Sequence, residues 1–474
     1  MRNFKVLILP LLLIYICAIF AMKATANTLD VETDYRIRGI LYTNNDFDNN
    51  TSTDALAYYS QILHLTLTGK FNEGVEICTR ISAVGVAGST TVFTGIPGSS
   101  STVTTVPYPS TNFTPYIDYA YVKINNMADT PVTIIAGKQP LTYGNGLIIS
   151  DNGTGINAFR IYGKYRLSLP VPKFNFKKGG DLFDYYPLAL ETEFFTAKLA
   201  DGLTPGYDHD LYGIVNRYDN DKYHFEVSFF EDADGSGTKY YKGLNAYDTN
   251  SIKKYFYDLY FTRKEDISNF RFEIAKENGT LQRSDGAQIN LDGLGYNLYG
   301  ELIGDKTKLG KVTAHAMIAF NTGDNNPPLF ADDGSFNPSQ TKRFDGLERS
   351  GYGELFAASP YDSTFALPST YSGIDTLNVG VDFSPVYGWN LGLDYFYFAA
   401  TEGPSGAPDA SGFEKLYGAN FSLGVEMDLY AKYSYSKYTE MRLSFARYTP
   451  PQFAVFWPHS DPAARYQFEI SAKY

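Results

Sequence analysis

The residues of this chain whose types could do chemistry are almost all charged, and they recur at every second position. Arg36 and Arg38, Arg80, Arg160, Arg271, Arg442 and Arg465 alternate with apolar neighbours, as do Glu32, Asp34, Glu76, Glu226, Asp258, Glu273, Glu426, Asp428 and Glu469. On extended backbone that spacing puts each charged set on one face. Rings of such charge around a narrow water-filled passage select ions and solutes. The structural alternative is that opposite charges pair across neighbouring strands and only hold a wall together. Glu426 and Asp428, two apart on one face, have the spacing of a cation site, although nothing else around them demands one.

Catalytic patterns are missing. There is no Gly-x-Ser-x-Gly elbow, no His-Glu-x-x-His pair among only five histidines, and no paired cysteine to hold zinc. Asp232-Ala233-Asp234-Gly235-Ser236-Gly237 opens like a calcium loop, but Gly243 stands where the twelfth-place acid belongs, so a turn between strands is the better reading. The expectation is a chain that is not an enzyme and needs neither metal nor cofactor. A barrel-borne lipase or protease would use a smaller barrel.

The elements that position these charges are strands. In the last eleven residues Tyr466, Phe468, Ile470, Ala472 and Tyr474 fall on one face and Arg465, Gln467, Glu469, Ser471 and Lys473 on the other. The same pattern places strands near 30–42, 55–70, 75–82, 116–126, 131–139, 157–166, 188–200, 208–218, 222–232, 252–263, 267–277, 288–302, 310–321, 374–384, 388–400, 420–434, 438–448 and 464–474. This predicts an all-β transmembrane antiparallel barrel of about 18 strands, with 16 the neighbouring even number. Aromatic residues make up 16% of the chain, as barrel girdles at two membrane interfaces require, and the negative mean hydropathy of −0.25 reflects lumen-facing polar positions.

Links between these strands alternate short and long, as periplasmic turns and outer loops do. Long ones fall at about 88–114, 140–156, 233–251, 322–373 and 449–463. The link Leu167 to Pro187 breaks the rule: it is long at a periplasmic position, which means a misplaced strand or a periplasmic insertion. Segment 322–373 is the candidate for a loop folded into the lumen, against the alternative of a mobile external loop.

The N-terminus, with Arg2, Lys5, an apolar run from Val6 to Phe20 and Ala24-Thr25-Ala26, predicts a secretory signal peptide over 1–26, leaving the barrel at 27–474. Cleavage removes Cys17 and three basic residues, so the net charge moves from −12 to −15 (37 basic against 52 acidic) and Cys78 remains as a single thiol. That acidity argues against nucleic acid as a partner. The expected partners are outer-membrane lipid, the barrel-assembly machinery through strand 464–474, and a hydrophilic solute or polysaccharide.

Several patches share a resemblance. Gly137-Lys138-Gln139 continuing through Leu141-Thr142-Tyr143-Gly144-Asn145-Gly146, with Ala120-Tyr121-Val122 before it and Phe159-Arg160-Ile161 after it, resembles the alginate-export family of outer-membrane channels. Thr322-Gly323-Asp324 and Leu423-Gly424-Val425-Glu426-Met427-Asp428-Leu429 resemble its later segments. The resemblance implies an eighteen-stranded barrel whose arginine- and lysine-lined pore lets an anionic polyuronate out passively, with Lys138 facing inward. The chain departs from that pattern where lysine replaces arginine at 138 and where Asn145 and Leu147 replace an acid and a base. A lysine lacks the bidentate fork that grips carboxylates. The expected function is a passive bacterial outer-membrane channel for a hydrophilic, saccharide-like solute. The alternatives are a general or substrate-specific porin for small nutrients and a plugged surface receptor.

Overall fold

The computed structural model describes residues 28–44, 56–71, 74–88, 90–92, 104–106, 114–150, 155–172, 183–200, 208–237, 239–242, 245–307, 310–323, 332–341, 352–355, 372–402, 421–451 and 461–474. The expected leader, 1–26, lies outside them. Eighteen strands form the wall: β1 (Thr28–Thr43), β2 (Leu56–Lys70), β3 (Val75–Gly88), β4 (Thr114–Ile124), β5 (Val132–Gln139), β6 (Ile156–Pro172), β7 (Phe183–Ala200), β8 (His209–Asp219), β9 (Tyr223–Asp234), β10 (Asn245–Lys264), β11 (Ser268–Arg283), β12 (Leu294–Thr307), β13 (Gly310–Asn321), β14 (Ser372–Ser384), β15 (Trp389–Glu402), β16 (Phe421–Ser434), β17 (Thr439–Thr449) and β18 (Ala463–Lys473). Each pairs antiparallel with the next, and β18 closes on β1 with Arg38 opposite Glu469 and Gly39 opposite Phe468. Closure leaves no unpaired edge around the wall, which hydrocarbon would not tolerate.

Side-chain exposure follows the two-residue period. Leu377, Val379 and Val381 of β14, Leu391, Leu393, Tyr395 and Tyr397 of β15, and Met427 and Leu429 of β16 are exposed on the outside of the barrel. Between them Asn378, Glu426 and Asp428 point inward and are buried. On β18, Tyr466 and Phe468 face out while Arg465 and Gln467 are buried inside. An apolar exterior over a polar interior is the inverse of a soluble protein and suits lipid outside and water within.

Two segments depart from a regular layout, and a third follows the expectation. The strand expected over 288–302 is broken at Asp292–Gly293; residues 288–291 pair with β11 and, in parallel, with 332–333. The calcium-like stretch begins as the end of β9, through Asp234, and then turns, with Asp234 accepting a hydrogen bond from Ser236 N at 2.8 Å, as the sequence predicts. The irregular link after β6 is an insertion: β6 and β7 stay paired from Lys198 opposite Asn157 down to Phe183 opposite Pro172, well past the point where β5 begins, at Val132 opposite Gly163, and where β8 pairing stops, at Leu190 opposite Tyr218. A two-stranded ribbon therefore projects from the short-turn rim.

Candidate functional site

The inner wall of β7 to β11 presents apolar residues, Phe195, Leu211, Val215, Phe230 and Phe256, which water would not favour. They are covered from within by the link after β5. Leu141, Tyr143, Leu147, Ile148 and Ile149 of that link are nearly fully buried against them. Sequestering five such side chains contributes on the order of 10 kcal/mol before the ordering entropy of the arm is subtracted. The segment expected at 140–156 as an outer loop is thus, over 141–149, a folded-in arm.

Its seat is also electrostatic. The Tyr143 ring stacks on Phe195 at 4.9 Å, and its hydroxyl donates to Glu193 Oε1 at 2.6 Å. Arg160 grips both oxygens of Glu193, at 2.6 and 3.0 Å. Arg217 joins Glu193, at 2.6 Å, to Glu226, at 2.7 Å. The turn that follows donates Gly144 N to Glu226 at 2.9 Å and Leu147 N to Glu273 at 3.3 Å. Gly144 has φ +57°, and a Cβ there would stand 2.4 Å from Glu273 Oε1, so both the backbone conformation and the space select glycine. Buried carboxylates need such donors, since an uncompensated charge here would be strongly destabilising.

A second arm comes from the link after β13, inside the segment proposed for folding inward. Phe336 lies edge-on to Phe256 at 6.4 Å, and Asn337 N donates to Glu277 at 2.6 Å. Gln340 and Thr341 pair in parallel with Ile149 and Ser150, tying the two arms together. Further along, Glu354 N donates to Asp428 at 3.0 Å and Leu355 N to Glu426 at 2.7 Å, while the Glu354 carboxylate receives Arg442 and Arg465. Since β18 lies nine strands from β9 in a ring of eighteen, the second arm is anchored across the lumen from the first. Residues 324–331, 342–351 and 356–371 of this link are outside the described residues.

Charged residues of the alternating faces lie along the inner wall. Arg38 is buried 3.4 Å from Glu469, and Arg80 binds Asp118 at 2.9 Å while lying 3.8 Å from the centre of the Tyr119 ring. Arg36 shares the face of Arg38 and is half-buried. Arg271 lies 4.9 Å over Tyr299, and Arg442 4.9 Å over Tyr430. Glu426 and Asp428 serve as acceptors for the second arm, which answers their spacing without a cation; among the described residues no group of His, Cys, Asp or Glu is arranged to hold a metal.

Lys138 is a correction. Gln139, Ile135 and Thr133 are the buried, inward residues of β5, so Lys138 falls on the outward face opposite Ala120 and Asn157, and its Nζ donates to the Ile117 carbonyl at 2.8 Å. The strand is apolar on both faces, so alternation gave no orientation, and the resemblance pointed the wrong way. Arg217, Glu193 and Tyr143 were not singled out from sequence. Arg217 ends a face that reads Leu211, Gly213, Val215, so its inward side looked like a lipid side.

No protein-family model matches the sequence, and no curated protein does. Among solved structures the chain is similar to OccAB4 of Acinetobacter baumannii (TM-score 0.50, 13% identity, 95% of this chain and 98% of that one). It is likewise similar to OccK8 (OprE) of Pseudomonas aeruginosa (0.51, 10%, 95% and 98%) and OccAB2 of Acinetobacter baumannii (0.51, 11%, 95% and 98%). At these identities the likeness establishes the fold alone, a closed eighteen-stranded antiparallel barrel like those of bacterial outer-membrane channels. It does not single out the alginate-export family.

Proposed function

We propose that the protein is a passive outer-membrane channel for a small, hydrophilic, saccharide-like solute, with no catalytic step. The observation that carries this is the pair of inward arms, seated at 141–149 and at 332–341 with 352–355, which narrow a lumen that eighteen strands would otherwise leave wide. Such narrowing favours a size-limited porin over an exporter of long polymer. The saccharide-like chemistry is supported by the inward Arg271 beside Tyr299, a guanidinium and a phenol able to hydrogen-bond sugar hydroxyls.

Planar-bilayer conductance combined with swelling of liposomes in sugars of increasing length tests this. The expected result is an open current, entry of mono- and disaccharides, and exclusion of long oligouronates. Absence of current would indicate a sealed receptor, and passage of the polymer as fast as a disaccharide would restore the export reading.

A further inference from the structure

The outside of the wall over β16 to β18 and β1 to β2 carries an apolar groove. The register places its outward side chains in rows. Leu429, Phe445, Tyr466, Leu41 and Ala57 form one, and Ala431, Leu443, Phe468, Gly39 and Tyr59 form the next, nearer the short-turn rim. Ala57, Ala431 and Gly39 are small among large neighbours, and the two rows line a depression of about 860 Å³. The Phe445 and Tyr466 rings, 5.0 Å apart, stand at its centre.

One charge stands directly above this groove. Arg447 is exposed on the same face of β17, between Met427 and Ala464 in the next row toward the long-link rim. It lies eight residues along β17 from Thr439, beside which the Tyr438 and Tyr474 rings meet at 5.4 Å. At ~3.4 Å per residue and a tilt of about 40° this is roughly 21 Å of height, close to the upper edge of an apolar band ~25 Å tall. Other cations on the outward face toward that rim are already engaged: Lys198 with Asp208 at 3.0 Å, Lys253 with Glu231 at 2.8 Å, Lys276 with Asp292, and Lys138 with the Ile117 carbonyl. Arg447 has no hydrogen bond or ion pair among the described residues. A lipid-facing guanidinium without a partner is costly unless its side chain reaches the headgroups.

We propose that Arg447 and the groove beneath it hold a phosphorylated glycolipid of the outer leaflet, with a phosphate on the guanidinium and an acyl chain along the groove. The long-link rim of a bacterial barrel faces outward, so the headgroups at this height belong to the outer leaflet. The guanidinium fork matches phosphate oxygens two at a time, and the depression gives a chain packing contacts that a flat wall lacks. Tyr395 and Thr43 lie in the row of Arg447, two strands to either side, and offer hydroxyls to a sugar beside the phosphate. An apolar subunit interface at the same place would leave the Arg447 charge buried and unpaired, whereas a lipid phosphate supplies its partner.

The test uses the full-length protein in detergent, with lipid retention read by native mass spectrometry. The probes are an acylated glucosamine disaccharide bisphosphate, its dephosphorylated form, and phosphatidylglycerol. One variant is Arg447→Gln; a second, Ala431→Trp, fills the groove and keeps the cation. Heat-modifiable gel migration and unchanged bilayer conductance confirm that each barrel is closed. The parent should retain the bisphosphate lipid, and retention should fall about tenfold or more in each variant, with the dephosphorylated probe, and in the parent as salt is raised. Equal retention by the parent and either variant would overturn the proposal, as would a parent that retains none or holds phosphatidylglycerol as strongly. A parent oligomer that survives excess lipid and comes apart in Ala431→Trp would also overturn it, since the groove would then be a contact between copies of the chain.

Discussion

Substituting Gly144 by alanine should open the channel without unfolding the barrel. An L-residue at φ +57° costs about 1–2 kcal/mol. The new Cβ would stand 2.4 Å from Glu273 Oε1, so the turn must lift, weakening the bond from Gly144 N to Glu226. A hydrogen bond to a charged group is worth about 1.5–3 kcal/mol. Together these disfavour the seated turn by roughly 3 kcal/mol, about two orders of magnitude in the seated-to-lifted ratio. The wall strands keep every backbone bond, so the heat-modifiable shift on a gel should be unchanged. Single-channel recording should show larger and noisier currents in Gly144→Ala than in the parent. Adding Glu273→Ala removes the clash and should return part of the quiet behaviour, although the Leu147 bond is lost as well. A Gly144→Ala channel with parental conductance and noise would refute the claim that this turn limits the passage.

Other expectations follow from the same contacts. Glu354→Ala removes one acid from beside Arg442 and Arg465, so reversal potentials at low salt should move toward anions, and conductance should rise as the second arm loosens. Arg442→Ala should move selectivity toward cations, whereas Lys138→Ala, on the outer face, should leave it unchanged; a selectivity shift in Lys138→Ala would reverse the orientation given to β5. Val379→Arg puts a charge on the lipid face of β14 and should lower folding stability in bilayers by about 2–4 kcal/mol in a denaturant titration.

The wall was legible because most strands repeat one test, and exposure of Leu391, Leu393, Tyr395 and Tyr397 against inward Asp394 answers it directly. The contents of the lumen were less so. Alternation describes which side a residue faces but not what covers it, so Phe195, Val215 and Phe230 gave no hint that an arm lies over them. The signal that could have found the arm is the run Leu147-Ile148-Ile149, too apolar for a loop in water. For 322–373, composition pointed inward but could not name Glu354, whose role depends on partners 88 and 111 residues away. Cross-strand pairing, one of the two readings of the acids, accounts for Arg38 with Glu469, while Glu273 and Asp428 instead accept loop amides that no pairwise pattern reveals.

Glu354 also sits where the cylinder shuts. It holds Arg442 on β17 and Arg465 on β18, its neighbour's backbone and its own reach β16, and Arg465 in turn lies 5.7 Å over Tyr42 of β1, across the first-to-last junction. A lineage exchanging this arm for one of different bore would therefore have to reinforce that junction by other means, so pore width and the integrity of the seam must evolve as one trait.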